Sequence, residues 1–224
     1  MCGRFVGYRN LDELKEIFPI DRSACEVTAN YNVAPSQEIL AIFNNEGENW
    51  LDKFHWGLVP FWAKDTAIGN RMINARAETV AEKPSFKNAF KKRRCLIIAD
   101  GFYEWKGPKG QKQPMFITRP DKKPFAFAGL WETWGKKDQD PLFKSCTIIT
   151  TKACEALRHI HHRMPVIFKP EAYESWLNPA NQDVNALKNI LEQALLTELV
   201  SYPVSKHVNA TGNKDAACID PIEG

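Results

Sequence analysis

Apolar residues along this chain follow two periods. Leu11, Leu14, Ile17 and Phe18 recur at helical spacing behind Asn10, with Glu13 as the partner of a capping box and Pro19 as a stop, so a short surface helix is predicted there. Elsewhere the period is two, or the run is continuously apolar. Residues 38–43, 50–58, 95–105, 114–118, 125–134, 145–150 and 164–168 read as strands. In "CLIIADGFYEW" (95–105) both parities are largely apolar, so this stretch reads as one central strand. Turn residues at 106–112 and 119–124 predict an antiparallel meander through 95–105, 114–118 and 125–134. Helical spacing returns at 170–177 and 184–196, the latter with Leu187, Ile190, Leu191 and Leu195 on one face. Together these predict an α+β fold: one domain over residues 1–224, with curled, predominantly antiparallel sheets forming a barrel-like core and helices at its periphery.

Composition narrows the class. Of 224 residues, 44% are hydrophobic and 25% charged, which suits a globular chain with a sizeable core. No apolar run reaches the length of a membrane span, and Gly3-Arg4 behind Cys2 leaves no hydrophobic region for a signal, so a cytoplasmic, nucleoid-associated location is expected. The six cysteines are scattered and include no C-x-x-C pair, which favours reduced thiols, with Cys95 and Cys146 as small core residues. A net charge of +3 is too mild to announce nucleic acid. The run 91–94, the turn 106–112 and the separate Arg4, Arg71, Arg76 and Arg163 would either surround a basic groove or form solvated faces.

Candidate chemistry begins at the N-terminus, "MCGRF". A cysteine in a terminal tail is expected to be exposed, whether idle or reactive. Removal of Met1 would give Cys2 a free α-amine beside its thiol, a 1,2-aminothiol. Glu104 ends an apolar strand, where burial would raise its pKa and suit it to proton transfer; a salt bridge at a hairpin mouth is the alternative. "RHIHHRMPV" holds His159, His161 and His162. If extended, His159 and His161 share a face, but no other ligand stands at a metal-site spacing, so a single histidine acting on protons is preferred and no metal or other cofactor is expected. In "MINARAETV" (72–80) Asn74, Arg76 and Glu78 alternate onto one face of an extended segment, as a polar strand edge would also do. Asn orients small polar groups and Arg grips phosphate. Phe61 and Trp62 follow Pro60 in a loop, where they would stack on bases of single-stranded nucleic acid or fold back on the loop itself.

The ordered motifs "CGRF", "YNVAP" (31–35), "WGLVPFW" (56–62), "INARAET" (73–79), "ADGFYEW" (99–105), "IHHRMP" (160–165) and "PVSKHVN" (203–209) resemble the SRAP family, named for an SOS response-associated peptidase. The resemblance runs from Cys2 to near Asn209. It implies a DNA-damage protein that binds abasic sites in single-stranded DNA and joins itself to them through the N-terminal cysteine as a thiazolidine. On this likeness Cys2 is the nucleophile, Asn74 positions it, and Glu104 and His161 handle protons. Arg4, Arg76 and Arg163, with Phe61 and Trp62, would contact DNA. Family members often carry two tryptophans where this chain has Phe61-Trp62. A thiol peptidase using Cys2 and His161, or a non-covalent single-strand binding module, are the alternatives. A monomer without a membrane partner is expected.

Overall fold

The computed structural model describes residues 2–108, 110–135 and 142–222. Met1, and Lys109 of the 106–112 turn, lie outside the described residues. In chain order the elements are β1 (Phe5–Gly7), α1 (Leu11–Lys15), β2 (Arg22–Ser23), β3 (Asn30–Val33), β4 (Glu38–Asn45), β5 (Glu48–Trp56) and β6 (Asn74–Arg76). Then follow α2 (Lys87–Lys92), β7 (Arg94–Ala99), β8 (Gly101–Lys106), β9 (Gln113–Thr118), β10 (Phe125–Trp134), β11 (Phe143–Lys152), β12 (Arg163–Pro165) and β13 (Ile167–Phe168). The chain finishes with α3 (Tyr173–Leu177), α4 (Val184–Gln193) and β14 (Val200–Pro203). The predicted capping box is present at α1: Asn10 Oδ1 accepts from the Glu13 amide and Glu13 Oε2 accepts from the Asn10 amide, both at 3.0 Å.

Five strands close into a ring. The order β11-β10-β7-β4-β5 is antiparallel throughout, and a parallel pairing of Ser145 and Cys146 with His55 and Trp56 joins β11 back to β5. Alternation then sends Phe43, Phe54, Trp56, Ile97, Phe127 and Ile148 inward. The opposite parity, including Leu51, Leu96, Ala128 and Ile149, faces a second apolar layer built from Leu14, Phe90, Trp176, Leu187 and Leu191 of the helices. Strands covered on both faces need no polar side, which explains the continuous apolar runs.

A second sheet, in the order β14-β9-β8-β1-β3, covers one side of the ring. Phe5 of β1 packs edge-on against Trp56 and Phe127 at 5.2 and 5.7 Å, and Phe102 of β8 joins the same cluster. The other face of this sheet buries Val6, Tyr103 and Phe116 beneath Val204, Val208 and Cys218 of the C-terminal segment.

The expected single strand 95–105 is in fact two strands in two sheets. The chain changes sheet at Asp100, whose amide donates to Val6 O (2.7 Å) and whose carboxylate accepts from the Tyr8 amide (2.8 Å) and Arg9 Nε (3.0 Å). Gly101 makes the switch possible, since a Cβ there would lie 2.2 Å from the Phe116 ring. The meander therefore holds only for β8 and β9, because β10 pairs with β7 and not with β9. Residues 164–168 likewise divide at Val166, β12 pairing with β11 and β13 with β10. The extended run at 72–80 is ordered as a strand only over Asn74–Arg76, and Glu78 falls in the following turn. Among the described residues no helix is long and apolar enough to cross a membrane.

Candidate active site

β1 brings the N-terminus to the mouth of the ring. Phe5 is opposite Phe102, and the Arg4 carbonyl accepts from the Tyr103 amide at 3.0 Å, so Gly3 and Cys2 lead on from β1 toward the Glu104 end of β8. Contrary to the exposed tail that its terminal position suggests, Cys2 is fully buried and belongs to the same apolar cluster as Phe5 and Trp56. The Phe5 ring anchors the segment there, and a side chain three residues before an anchored strand has little freedom to leave. Burial pushes the Cys2 thiol well above its ordinary value, and the charge of Glu104 adds to the shift.

Two further candidates, Asn74 and Glu104, act directly on this residue, and a third, His161, lies in a turn whose apolar residues join the same cluster. Asn74, at the start of β6, donates from Nδ2 to the Cys2 carbonyl at 2.8 Å. β6 can hold it there because Asn74, Ala75 and Arg76 pair in parallel with Ile148, Ile149 and Thr150 of β11. The Asn74 Oδ1 atom is buried and has no hydrogen-bond partner among the described residues. Glu104 is buried on β8, one of nine buried polar or charged residues among the described residues, and shares its face with Phe102 by strand alternation. His161 lies in the turn before β12, where its Nδ1 accepts from the Arg163 amide at 3.0 Å. Leu157, Ile160 and Met164 around it share a cluster with Cys2. His159 does not join this group: residues 155–157 form a short 3-10 turn, so the face that an extended chain would give His159 and His161 does not exist. Instead His161 stacks on the exposed His162, ring centroids 4.4 Å apart, and the charge of His161 lowers the His162 pKa.

The candidate DNA contacts divide sharply. Arg76 is exposed and lines a cleft of about 610 Å³ with Lys152, Arg158, His162 and Arg163. Arg163, by contrast, is held by the protein: it forms a two-pronged ion pair with Glu78 and donates to Thr150 O at 2.6 Å, with only 10% of its side chain exposed. Its hydrogen bonds in turn pull the Glu78 carboxyl below the ordinary range. Arg4 is half committed. Its Nη1 donates to Asn32 Oδ1 (2.7 Å) and Val208 O (2.8 Å), and its guanidinium lies 5.6 Å from the Trp105 ring centroid. Phe61 and Trp62 are exposed by 59% and 49%, on a loop that is itself well fastened. Its first amides, at Gly57 and Val59, donate to Cys146 O and Ser145 Oγ, and Trp134 Nε1 donates to Ala63 O.

Sequence reading missed two parts of the site. Lys152 and Arg158 enter the basic cleft through the β11–β12 register and the 3-10 turn, neither of which leaves a local signal. Asn32 is the other: fully buried, it donates to the carbonyls of Val208, Ala210 and Asn213 while holding Arg4. A buried asparagine between two apolar residues in "YNVAP" was the available clue.

A barrel mouth that gathers a buried terminal cysteine, an asparagine, a glutamate and a histidine beside a basic cleft belongs to a known class of proteins. The family model for SOS response associated peptidase (SRAP) matches residues 1–211, and the chain is a member of that family. Among its relatives, abasic site processing protein YoqW of Bacillus subtilis is 47% identical, with 98% of this chain and 99% of that one aligned. Abasic site processing protein YedK of Escherichia coli is 29% identical across 99% of this chain and all of its own. Abasic site processing protein HMCES of Gallus gallus is 34% identical, but only 60% of its length is matched. A crystal structure of a protein from Bacteroides thetaiotaomicron superimposes with a TM-score of 0.77 at 26% identity, covering 97% of this chain and 92% of that one.

Proposed function

We propose that this protein binds abasic sites in single-stranded DNA and, once Met1 is removed, links itself to them through Cys2, shielding the lesion during the response to DNA damage. The observation that supports it most is the seat of Cys2: its carbonyl is fixed by Asn74, the charge of Glu104 acts on its thiol, and the basic cleft lined by Arg76 opens beside the strand that carries Asn74.

The chemistry follows from that seat. An abasic deoxyribose exists partly as an open-chain aldehyde. The α-amine that Cys2 gains has a reference pKa near 8, so a useful fraction is neutral at physiological pH and attacks the aldehyde carbon, expelling water to give an imine. The Cys2 S–H then adds across the C=N bond, sulfur to carbon and proton to nitrogen, closing a five-membered thiazolidine. A thiol held protonated by burial suits this order, because sulfur stays silent until the imine exists. Asn74 Oδ1 is the acceptor for the amine N–H, and Glu104 and His161 move the protons that water departure requires. Arg4 and Arg76 hold flanking phosphates, and Trp62 takes a base by stacking. Arg163 serves by fixing the turn that carries His161, since its guanidinium is already bound to Glu78 and Thr150.

The test is intact mass after mixing the protein with an oligonucleotide that carries one abasic site. A covalent adduct that forms with free Cys2, and not with an N-terminal extension or with Cys2→Ala, is the expected result. Peptide hydrolysis that depends on Cys2, without any adduct, would replace this reading with the peptidase.

A further inference from the structure

Basic residues on this molecule do not all gather at the mouth. Phe61, Asn88, Lys91, Lys92 and Thr133 line a second cleft of about 470 Å³, between the aromatic loop and α2. Arg93, also on its wall, has its charge cancelled by Glu132 at 2.6 Å. Lys91 and Lys92 are exposed, and no acidic side chain among the described residues pairs with either. Two unbalanced ammonium groups thus face a phenyl ring that is itself 59% exposed. Apolar and cationic groups presented together in one groove match a strand that offers a stacking face and a charge at every step.

β11 gives the distance of this cleft from the mouth. Thr133 is opposite Lys144, and the loop's Val59 amide donates to Ser145 Oγ, whereas Asn74 and Arg76 pair with Ile148 and Thr150. From Lys144, opposite Thr133, to Ile148, opposite Asn74, the strand advances four residues, about 13 Å. That corresponds to about four nucleotides at stacked spacing, and fewer in an extended strand. The cleft therefore lies along β11 from Asn74, on the side that carries Phe61.

We propose that this cleft is a second binding subsite for the same DNA strand, in which Phe61 stacks a base and Lys91 and Lys92 neutralise two phosphates a few nucleotides from the abasic position. It rests on the proposed function for the identity of the strand, and it adds a preference for length on one side of the lesion.

The experiment compares non-covalent affinity of wild type and a Lys91→Ala/Lys92→Ala variant for single-stranded oligonucleotides bearing one abasic analogue. The strands extend about three or about ten nucleotides to the 5′ or the 3′ side. Using Cys2→Ala as the background in both proteins keeps the covalent step out of the measurement. Wild type should gain affinity with length on one side only, and the double variant should lose that gain while binding the short strands equally well. For two phosphates on a single strand, the gap between the proteins should shrink about sevenfold between about 50 and 200 mM salt. Phe61→Ala should remove part of the length gain without altering the salt slope. An equal length gain in both proteins overturns the subsite, as does a variant weakened on short and long strands alike, which marks the lysines as diffuse charge. Either result leaves adduct formation untouched, whereas absence of adduct on every strand removes the proposed function and leaves the length dependence readable.

Discussion

The mouth that holds Cys2 and the loop that carries Phe61 and Trp62 are built in opposite ways. At the mouth, reactive groups are buried and fixed by neighbours, down to a backbone carbonyl gripped by Asn74. On the loop the backbone is pinned while the side chains stand in solvent. Burial tunes acidity and direction of attack, and exposure offers area to something arriving from outside. On the proposed function this difference makes reaction and grip separable, and each prediction tests that separation.

The largest effect belongs to Cys2→Ala. It should abolish the hydrolysis-resistant adduct while leaving single-strand affinity within about twofold, because the remaining amine forms only an imine, trappable by reductant. A parallel fall in affinity would mean that the mouth also does the gripping. Trp62→Ala should reverse the pattern, with about 1–3 kcal/mol of affinity lost and the rate at saturating DNA unchanged, as read by anisotropy and single-turnover crosslinking.

Arg163 and Arg76 offer a finer version of the contrast. Arg163→Ala removes the hydrogen bonds to Glu78 and to the Thr150 carbonyl, which keeps the Ala77 amide as a donor, so it should lower stability by about 1–3 kcal/mol in urea unfolding and slow the reaction through the His161 turn. Arg76→Ala should leave stability alone and reduce the salt slope of binding by about one phosphate. If Arg163→Ala instead changes the salt slope and Arg76→Ala does not, the roles assigned to the two arginines are exchanged.

At neutral pH the smallest effect is that of the buried thiols, which emerges only as stability is followed into alkaline pH. Cys2, Cys95 and Cys146 are all raised by burial, so their contribution is complete below the unfolded thiol pKa of about 8.5 and is lost as pH climbs from there toward their folded values. Each thiol should add about 1.4 kcal/mol of destabilisation per pH unit in that alkaline window. Cys146→Ala should flatten the slope by one thiol's share in urea titrations under reductant, whatever it does to stability at neutral pH.

How far sequence alone reached follows the same division. The apolar strands and the helix cap at Asn10 were legible because they depend on neighbours a few residues away. The switch at Asp100 was not, since a strand buried in one sheet looks the same in one dimension as the next strand buried in another. The mouth residues were nameable through ordered motifs, yet the burial of Cys2 was hidden, because the Phe5 ring that anchors it meets Trp56 and Phe127, far along the chain. Arg76 and Arg163 looked equivalent as isolated basic residues. Only the turn that brings Glu78 against Arg163 separates them.

The way β5 and β6 meet β11 has one more consequence. Trp56 sits opposite Cys146 and Asn74 opposite Ile148, so the chain leaves the ring and rejoins the same edge two residues further on. The two arms of this excursion touch where a Cβ on Gly57 would lie 2.6 Å from the Gly69 carbonyl, and Gly57 has a φ of +140°. Residues 58–68 therefore form a cassette clipped shut at its base. On the proposed function, an exchange of that cassette between relatives, with both glycines kept, should transplant lesion-flank preference as a unit and leave the barrel and its terminal cysteine as the constant chassis.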